Sequence, residues 1–329
     1  MLALLRRLDP GEFRLAVAAP RALLDAFGAD LDGVRVETEA VAAESVAQWR
    51  EIGRLSRVIA RFRPDIVNSH LFRSTAIAAP LARWHGVRAV ETYHGREGWR
   101  QGLAPLRFLP DRLIGRLLDR VTVVPNGRDL SIFTPGSARE SVRKELGLDR
   151  AVPLVGVVGR LEPQKGHVYL LDAWQAVTRA LPDARLLLVG DGALRGALAE
   201  QARARAVADS VIFAGFRADD PRLLDAIDVL CLPSLYEGLP LTAIEASAMA
   251  RPVVATAVDG TPEVVRDGHT GRLVPAADAP ALARALLDLL RDPEGARRLG
   301  RAGRDWALAR FDLDRQVEAT ARVYRSVVR

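Results

Sequence analysis

Short apolar runs alternate with longer amphipathic segments along almost the whole chain, and this constrains the fold more than any other feature. A short run that is apolar on both faces reads as a strand of a parallel sheet. Each parallel neighbour then needs a crossover, usually a helix. In the first half, strands are expected at 13–19, 34–38, 65–69, 89–93 and 121–124, with helices over 40–63 and 74–85. In the second half, strands are expected at 153–158, 185–189, 211–213, 229–232 and 252–255. Helices there are expected over 166–181, 193–206, 221–226, 240–250, 261–266 and 279–290. The pattern predicts an α/β architecture built on parallel sheets. Residues 1–8 read as the tail of a helix, and a last amphipathic helix is expected over 313–328, after a separate one ending near Arg310.

At 329 residues the chain fits two domains of ordinary size. The segment 126–150 carries Asn-Gly and Pro-Gly turns and then a charged helix, and reads as the connection. The expected division is an N-terminal domain over 1–130 and a C-terminal domain over 131–312, with 313–329 free to pack back on the first.

Composition removes several function classes. No stretch approaches eighteen uncharged apolar residues, so no membrane-spanning helix is expected. The opening apolar run is short and is followed, not preceded, by arginines, which does not read as a signal peptide. The single cysteine, Cys231, lies in an apolar run and reads as a buried thiol. A cytoplasmic setting follows. Residues 1–130 hold 20 Arg against 15 acidic residues, so +5 of the chain's +6 lies there. That excess leaves two readings open: a solvated surface, or peripheral contact with an acidic partner such as the inner face of a membrane. Nucleic-acid binding is not expected, because basic runs, interleaved aromatics and zinc spacing are all missing.

The basic residues are unevenly chosen. Of 47, only Lys144 and Lys165 are lysines. A lysine kept where arginine is otherwise preferred suggests a need for a compact ammonium. Lys165 lies in the sequence VGVVGRLEPQKG at 155–166, where an apolar strand ends at Gly159 and a loop leads into a helix. Glycine lets backbone approach a ligand closely, and loop amides at a helix start attract phosphate. Arg160 and Lys165 place a fork and a point charge at the carboxyl end of a strand, where ligands of α/β sheets bind. The pair suits a diphosphate; alone, the motif is equally compatible with a surface loop.

A second motif, LYEGLPLTAIEASAM at 235–249, sets Glu237 before a Gly-Leu-Pro turn and a helix starting near Pro240. Glu245 comes eight residues after Glu237, just over two helical turns. A carboxylate there can accept hydrogen bonds from paired hydroxyls, and the amides of Gly238, Leu239 and Leu241 lie where they can meet phosphate. Glu245 in an apolar helix needs partners, unless it faces solvent. A third motif, TYHGR at 92–96, puts His94 at a strand's carboxyl end. A lone histidine is more often structural, and no metal-ligand spacing is present.

In order and spacing, these pieces resemble the retaining glycosyltransferases of family 4. The resemblance rests on VTVVPNGRDLSIFTP at 121–135, GRLEPQKGH at 159–167, VGDGALRGAL at 189–198, FAGF at 213–216, PSLYEGLPLTAIEASAMARPVVAT at 233–256 and GTPEVVRDGHTGRLVP at 260–275. It implies the GT-B fold, two Rossmann-like parallel-sheet domains facing a cleft. It also implies a nucleoside diphosphate sugar as donor, a glycan or lipid-linked acceptor, and no metal or other cofactor. Arg160 and Lys165 would neutralise the donor diphosphate. Glu237 would contact the transferred sugar, Glu245 would hold the ribose hydroxyls, and His94 would face the reacting sugar. Gly159, Phe216, Gly238, Leu239, Pro240, Leu241 and Thr242 would complete the donor site. Family members usually open with a strand and a glycine-rich loop, and carry a further strand and helix before the VTVVPNG segment. Neither is found here, so the N-terminal domain is expected to be incomplete. The alternatives are a non-catalytic nucleotide-sugar-binding protein and a different enzyme on the same architecture.

Overall fold

The computed structural model describes residues 2–43, 45, 47–70, 72–92, 115–119, 122 and 124–328. The chain divides into two compact units, Met1–Pro125 with Leu313–Arg329, and Asn126–Asp312.

In the first unit, β1 (Leu15–Ala19) pairs in parallel with β2 (Val36–Ala40), and β3 (Ile66–His70) with β4 (Arg88–Thr92). Helices α1 (Leu2–Arg7), α2 (Arg21–Phe27), α3 (Trp49–Phe62) and α4 (Phe72–Trp84) accompany them. The helix expected from residue 40 starts only at Trp49. Val36, Thr38 and Ala40 alternate with charged residues, and this period of two carries β2 through Ala40 against Ala19. Ile52, Leu55, Ile59 and Phe62 then recur at helical spacing. α3 ends at Arg63, whose left-handed φ of 52° caps the carbonyl of Ile59 ahead of Pro64. The strand expected at 121–124 lies partly outside the described residues, and Thr122 and Val124 belong to no strand.

The second unit holds one six-stranded parallel sheet in the order β10-β9-β8-β5-β6-β7. Its strands are β5 (Leu154–Val158), β6 (Arg185–Val189), β7 (Val211–Gly215), β8 (Val229–Leu232), β9 (Val253–Thr256) and β10 (Gly271–Val274). Helices α5 (Arg139–Glu145), α6 (His167–Ala180), α7 (Arg195–Ala204), α8 (Asp220–Ala226), α9 (Leu241–Ala248), α10 (Thr261–Val264), α11 (Ala279–Arg291) and α12 (Pro293–Arg310) connect and cover it. Every residue of β8 and β9 is buried, as a strand covered on both faces requires. From β5 the chain steps outward to β6 and β7, returns to β5's other side as β8, and continues outward to β9 and β10. The direction of winding therefore reverses between β5 and β8. In such sheets a crevice opens outside the carboxyl ends of the two strands at the reversal.

Buried polar side chains fasten α5 and the residues just before it to this sheet. Asp225 is fully buried and accepts the amides of Gly136, Ala138 and Arg139 at 2.8, 2.8 and 3.0 Å, and Arg251 at 2.6 Å. Arg143, equally buried, donates to the carbonyls of Ala226, Asp149, Arg150 and Val152 and to the Asp228 carboxylate. Burial pushes the Cys231 thiol far up, so it is inert. The last helix, α13 (Leu313–Val328), belongs to the first unit, where Leu313, Val317 and Ala321 pack with Leu8. Tyr324 of α13 accepts from Asn68 of β3 at 2.8 Å.

Candidate active site

The loops after β5 and β8 flank the reversal point, and the backbone locks them together. The amide of Leu235 donates to the carbonyl of Gln164 at 2.8 Å, and the Gln164 side chain returns a bond to the Tyr236 carbonyl at 3.0 Å. Gly166 closes the first loop at φ 63° and serves as N-cap of α6. A Cβ at Gly166 would collide with the Pro233 carbonyl oxygen, so only glycine allows this approach. Gly260, after β9, meets the Gly238 carbonyl in the same way.

Lys165 and Glu237 meet at this seam. Lys165 Nζ donates to Glu237 Oε1 at 2.6 Å, and Ser234 Oγ donates to the same oxygen at 2.7 Å. The Glu237 amide donates to Asp259 Oδ2 at 3.0 Å. The ammonium is 22% exposed and the carboxylate 8%, so the pair is largely desolvated and opens on one side. Next to it, α9 begins after Pro240, whose carbonyl takes the amides of Ala243 and Ile244. The amides of Leu241 and Thr242 remain as donors of the first turn. A cation, hydrogen-bond donors and a carboxylate therefore converge, which suits an anion with an attached polyol.

The other sequence-derived residues are placed differently. Arg160 is 68% exposed and pairs with Glu162 at 2.9 Å, not with the Lys165–Glu237 seam. Phe216 stands out at 78% exposure on the loop after β7. Glu245, on α9, is buried, and its Oε1 lies 2.7 Å from Arg128 Nε. This is a close ion pair without the alignment of a hydrogen bond. Burial, opposed by the Arg128 charge and reinforced by Asp220, pushes the Glu245 carboxyl up to about 7. His94 lies outside the described residues.

Sequence reasoning missed several of these partners. Ser234 lies only 3 residues before Glu237 in the same loop, whereas Asp259 reaches the Glu237 amide from the turn after β9, which no spacing signals. Arg128 reaches Glu245 from a segment distant in sequence, which no periodicity signals. His167 follows the Gln-Lys-Gly turn and is 1% exposed, with neither ring nitrogen hydrogen-bonded. Burial and then the nearby Lys165 charge lower it to about 4, so it is neutral at pH 7 and leaves Lys165 as this turn's charge. No cluster of three or more His, Cys, Asp or Glu able to hold a metal occurs among the described residues.

Residues 152–292 match the family described as Glycosyl transferases group 1, and residues 1–132 match Glycosyltransferase Family 4. A GDP-mannose-dependent alpha-(1-6)-phosphatidylinositol monomannoside mannosyltransferase of Mycolicibacterium smegmatis is 35% identical over 289 residues, which is 78% of this chain and 75% of that protein. The chain belongs to the family 4 glycosyltransferases. Another relative of this glycosyltransferase, a D-inositol 3-phosphate glycosyltransferase of Segniliparus rotundus, is 38% identical over 218 residues, and the match spans only 48% of that relative. Among solved structures, Anabaena Alr3699/HepE in complex with UDP superposes with a TM-score of 0.84 at 19% identity, covering 95% of this chain and 100% of that one. That likeness gives the family 4 chain the GT-B fold. No helix among its described residues is long and apolar enough to cross a membrane.

Proposed function

We propose that this glycosyltransferase moves a hexose from a nucleoside diphosphate sugar to a glycan or lipid-linked acceptor, with retention of the anomeric configuration. The observation that carries the reading is the Lys165–Glu237 contact at the reversal of the sheet, 2.6 Å long and one-fifth open on the lysine side. Glu237 balances the ammonium. A donor diphosphate takes over Lys165 as its counter-ion and the Leu241 and Thr242 amides as donors, and releases Glu237 to a sugar hydroxyl. Arg160, exposed and paired with Glu162, turns to the same phosphates. Gly159, Gly238, Leu239 and Pro240 form the close-fitting backbone around them. Phe216 and Glu245 take the nucleoside, Glu245 accepting from the ribose hydroxyls. The family resemblance assigns His94 to the reacting sugar.

The chemistry follows from charge. As the bond from the anomeric carbon to the phosphate oxygen lengthens, negative charge grows on the leaving diphosphate and positive charge on the carbon. Fixed cations and amides aimed at that diphosphate stabilise the transition state more than the ground state. With retention, the acceptor hydroxyl arrives on the face from which the diphosphate leaves. Its oxygen bonds to the anomeric carbon, and its proton passes to the departing phosphate oxygen. Lys165, Arg160 and the helix start supply the positive charge, so transfer proceeds without a metal ion.

The test is turnover of GDP-mannose and other sugar nucleotides against an acceptor panel that starts with phosphatidylinositol mannosides, in view of the mycobacterial relative's name. Transfer that persists in EDTA and yields the donor's own anomeric configuration is expected. Absence of transfer with every donor, or an inverted product, contradicts the proposal.

A further inference from the structure

The turn between β9 and α10 brings a third charged side chain, Asp259, to the Lys165–Glu237 seam. Its backbone φ is 42°, in the left-handed region. A residue with a Cβ adopts that conformation at a cost, which Asp tolerates better than most and Gly escapes. Strain kept at a turn beside a ligand site points to a side chain that is used.

The turn is clamped on the Glu237 loop at three points. The buried Thr256 donates its hydroxyl to the Ser234 carbonyl at 2.5 Å. Asp259 Oδ2 accepts the Glu237 amide at 3.0 Å. A Cβ at Gly260 would collide with the Gly238 carbonyl oxygen. Asp259 is thus fixed to the backbone of Glu237, and it keeps its place when the Glu237 side chain turns.

Asp259 is exposed, so its carboxylate is within reach of a ligand. An extended glutamate spans about 6 Å from amide nitrogen to carboxylate, which puts Asp259 Oδ2 at most about 9 Å from the Glu237 carboxylate. One hexose ring with hydrogen bonds at two of its edges fills such a gap. Lys165 balances Glu237 only until a diphosphate takes the ammonium. The sugar beside that diphosphate then meets two carboxylates. Hydroxyls donate to carboxylates in charge-assisted bonds, whereas a carboxylate on the sugar is brought against like charge and repelled.

We propose that Asp259 is a specificity-determining residue for the transferred sugar: its carboxylate accepts from the hydroxyls of a neutral hexose and rejects a uronosyl group. The inference rests on the donor site proposed above and adds to it the charge class of the sugar. An Asp259 that acted only through Glu237 would do so by its bond to the amide. Asparagine keeps an acceptor for that amide and tolerates the left-handed φ, but removes the charge. Glycine suits the φ and removes both.

The test is calorimetric titration of the full chain with GDP, UDP, GDP-mannose, UDP-glucose and UDP-glucuronate, in wild type, D259N and D259G. In wild type at least one neutral sugar nucleotide is expected to bind more tightly than its bare diphosphate, and UDP-glucuronate more weakly than UDP. D259N weakens the favoured neutral donor roughly tenfold and tightens UDP-glucuronate roughly tenfold, while GDP and UDP bind as in wild type. D259G shows the same loss with no fall in melting temperature, since it relieves the φ of 42°. Three results overturn the inference while leaving the donor site standing: D259N binding every sugar nucleotide as wild type does, D259N gaining nothing for UDP-glucuronate, or a loss for bare GDP and UDP equal to that for the neutral donors. Failure of wild type to bind either bare diphosphate contradicts the donor site itself, and the inference with it.

Discussion

Lys165 Nζ lies 2.6 Å from Glu237 Oε1, across 72 residues of sequence and across the point where the sheet reverses its winding. Removing the ammonium removes the charge that faces the leaving diphosphate. Lys165→Ala is expected to lower kcat about 10²–10³-fold, the scale of losing one preorganised electrostatic contact. Lys165→Arg restores the charge but not the compact geometry, and recovers only part of the rate. Glu237 keeps its bond from Ser234, so melting falls by only a few degrees. Steady-state kinetics with thermal melting checks this, and a collapsed fold would show a structural lysine instead.

Glu245 makes donor binding depend on pH. Its carboxyl is pushed up to about 7 by burial, against the Arg128 charge and with Asp220. Between its ordinary value near 4.5 and about 7, the folded chain holds a proton there that the unfolded chain has lost. Stability from this group therefore falls as pH rises through that window, and levels off above it. Donor affinity moves the other way, because the ionised carboxylate is the better acceptor for ribose hydroxyls. Calorimetric titration should show Kd improving as pH rises through about 7. Arg128→Gln moves that midpoint upward, and Glu245→Gln weakens binding and removes the pH dependence. A flat profile in the wild-type chain contradicts the ribose role.

Gly166 holds the two loops at contact distance. Its φ of 63° and its closeness to the Pro233 carbonyl admit no Cβ. Gly166→Ala is expected to cost about 1–3 kcal/mol of stability. It also separates Lys165 from Glu237, so donor affinity drops together with the melting temperature.

Asp225 tests the fold apart from the chemistry. It is fully buried, with three amides and Arg251 as donors. Asp225→Ala leaves the half-buried Arg251 without its carboxylate and three amides without their acceptor, and is expected to cost about 3–5 kcal/mol in urea denaturation. Donor affinity of the remaining folded fraction is unchanged.

The parallel α/β class was legible because β5, β6, β8 and β9 are continuous apolar runs, which parallel strands buried on both faces require, whereas the GT-B fold was legible only through the resemblance of the motifs to family 4. β10 was not legible: Gly271–Val274 has only two apolar side chains and gains its identity from pairing with β9. The start of α3 was misplaced because Ala40, Ala42 and Ala43 favour a helix locally, and the pairing of β2 with β1 carries the strand through Ala40 instead. At the site, the loops of Lys165 and Glu237 could be read, but their mutual contact could not, since it depends on which strands become neighbours. Arg160 points to Glu162 because that carboxylate is two residues away, a local pairing that motif spacing does not reveal. Arg128 was invisible as a partner of Glu245 for the same topological reason.

A crystal structure with a bound nucleoside diphosphate sugar tests the central claim most directly. The account predicts diphosphate oxygens within hydrogen-bond reach of Lys165 Nζ and of the Leu241 and Thr242 amides, with Glu237 turned to the sugar. A diphosphate bound away from the β5–β8 reversal, with Lys165 still paired to Glu237, would contradict it.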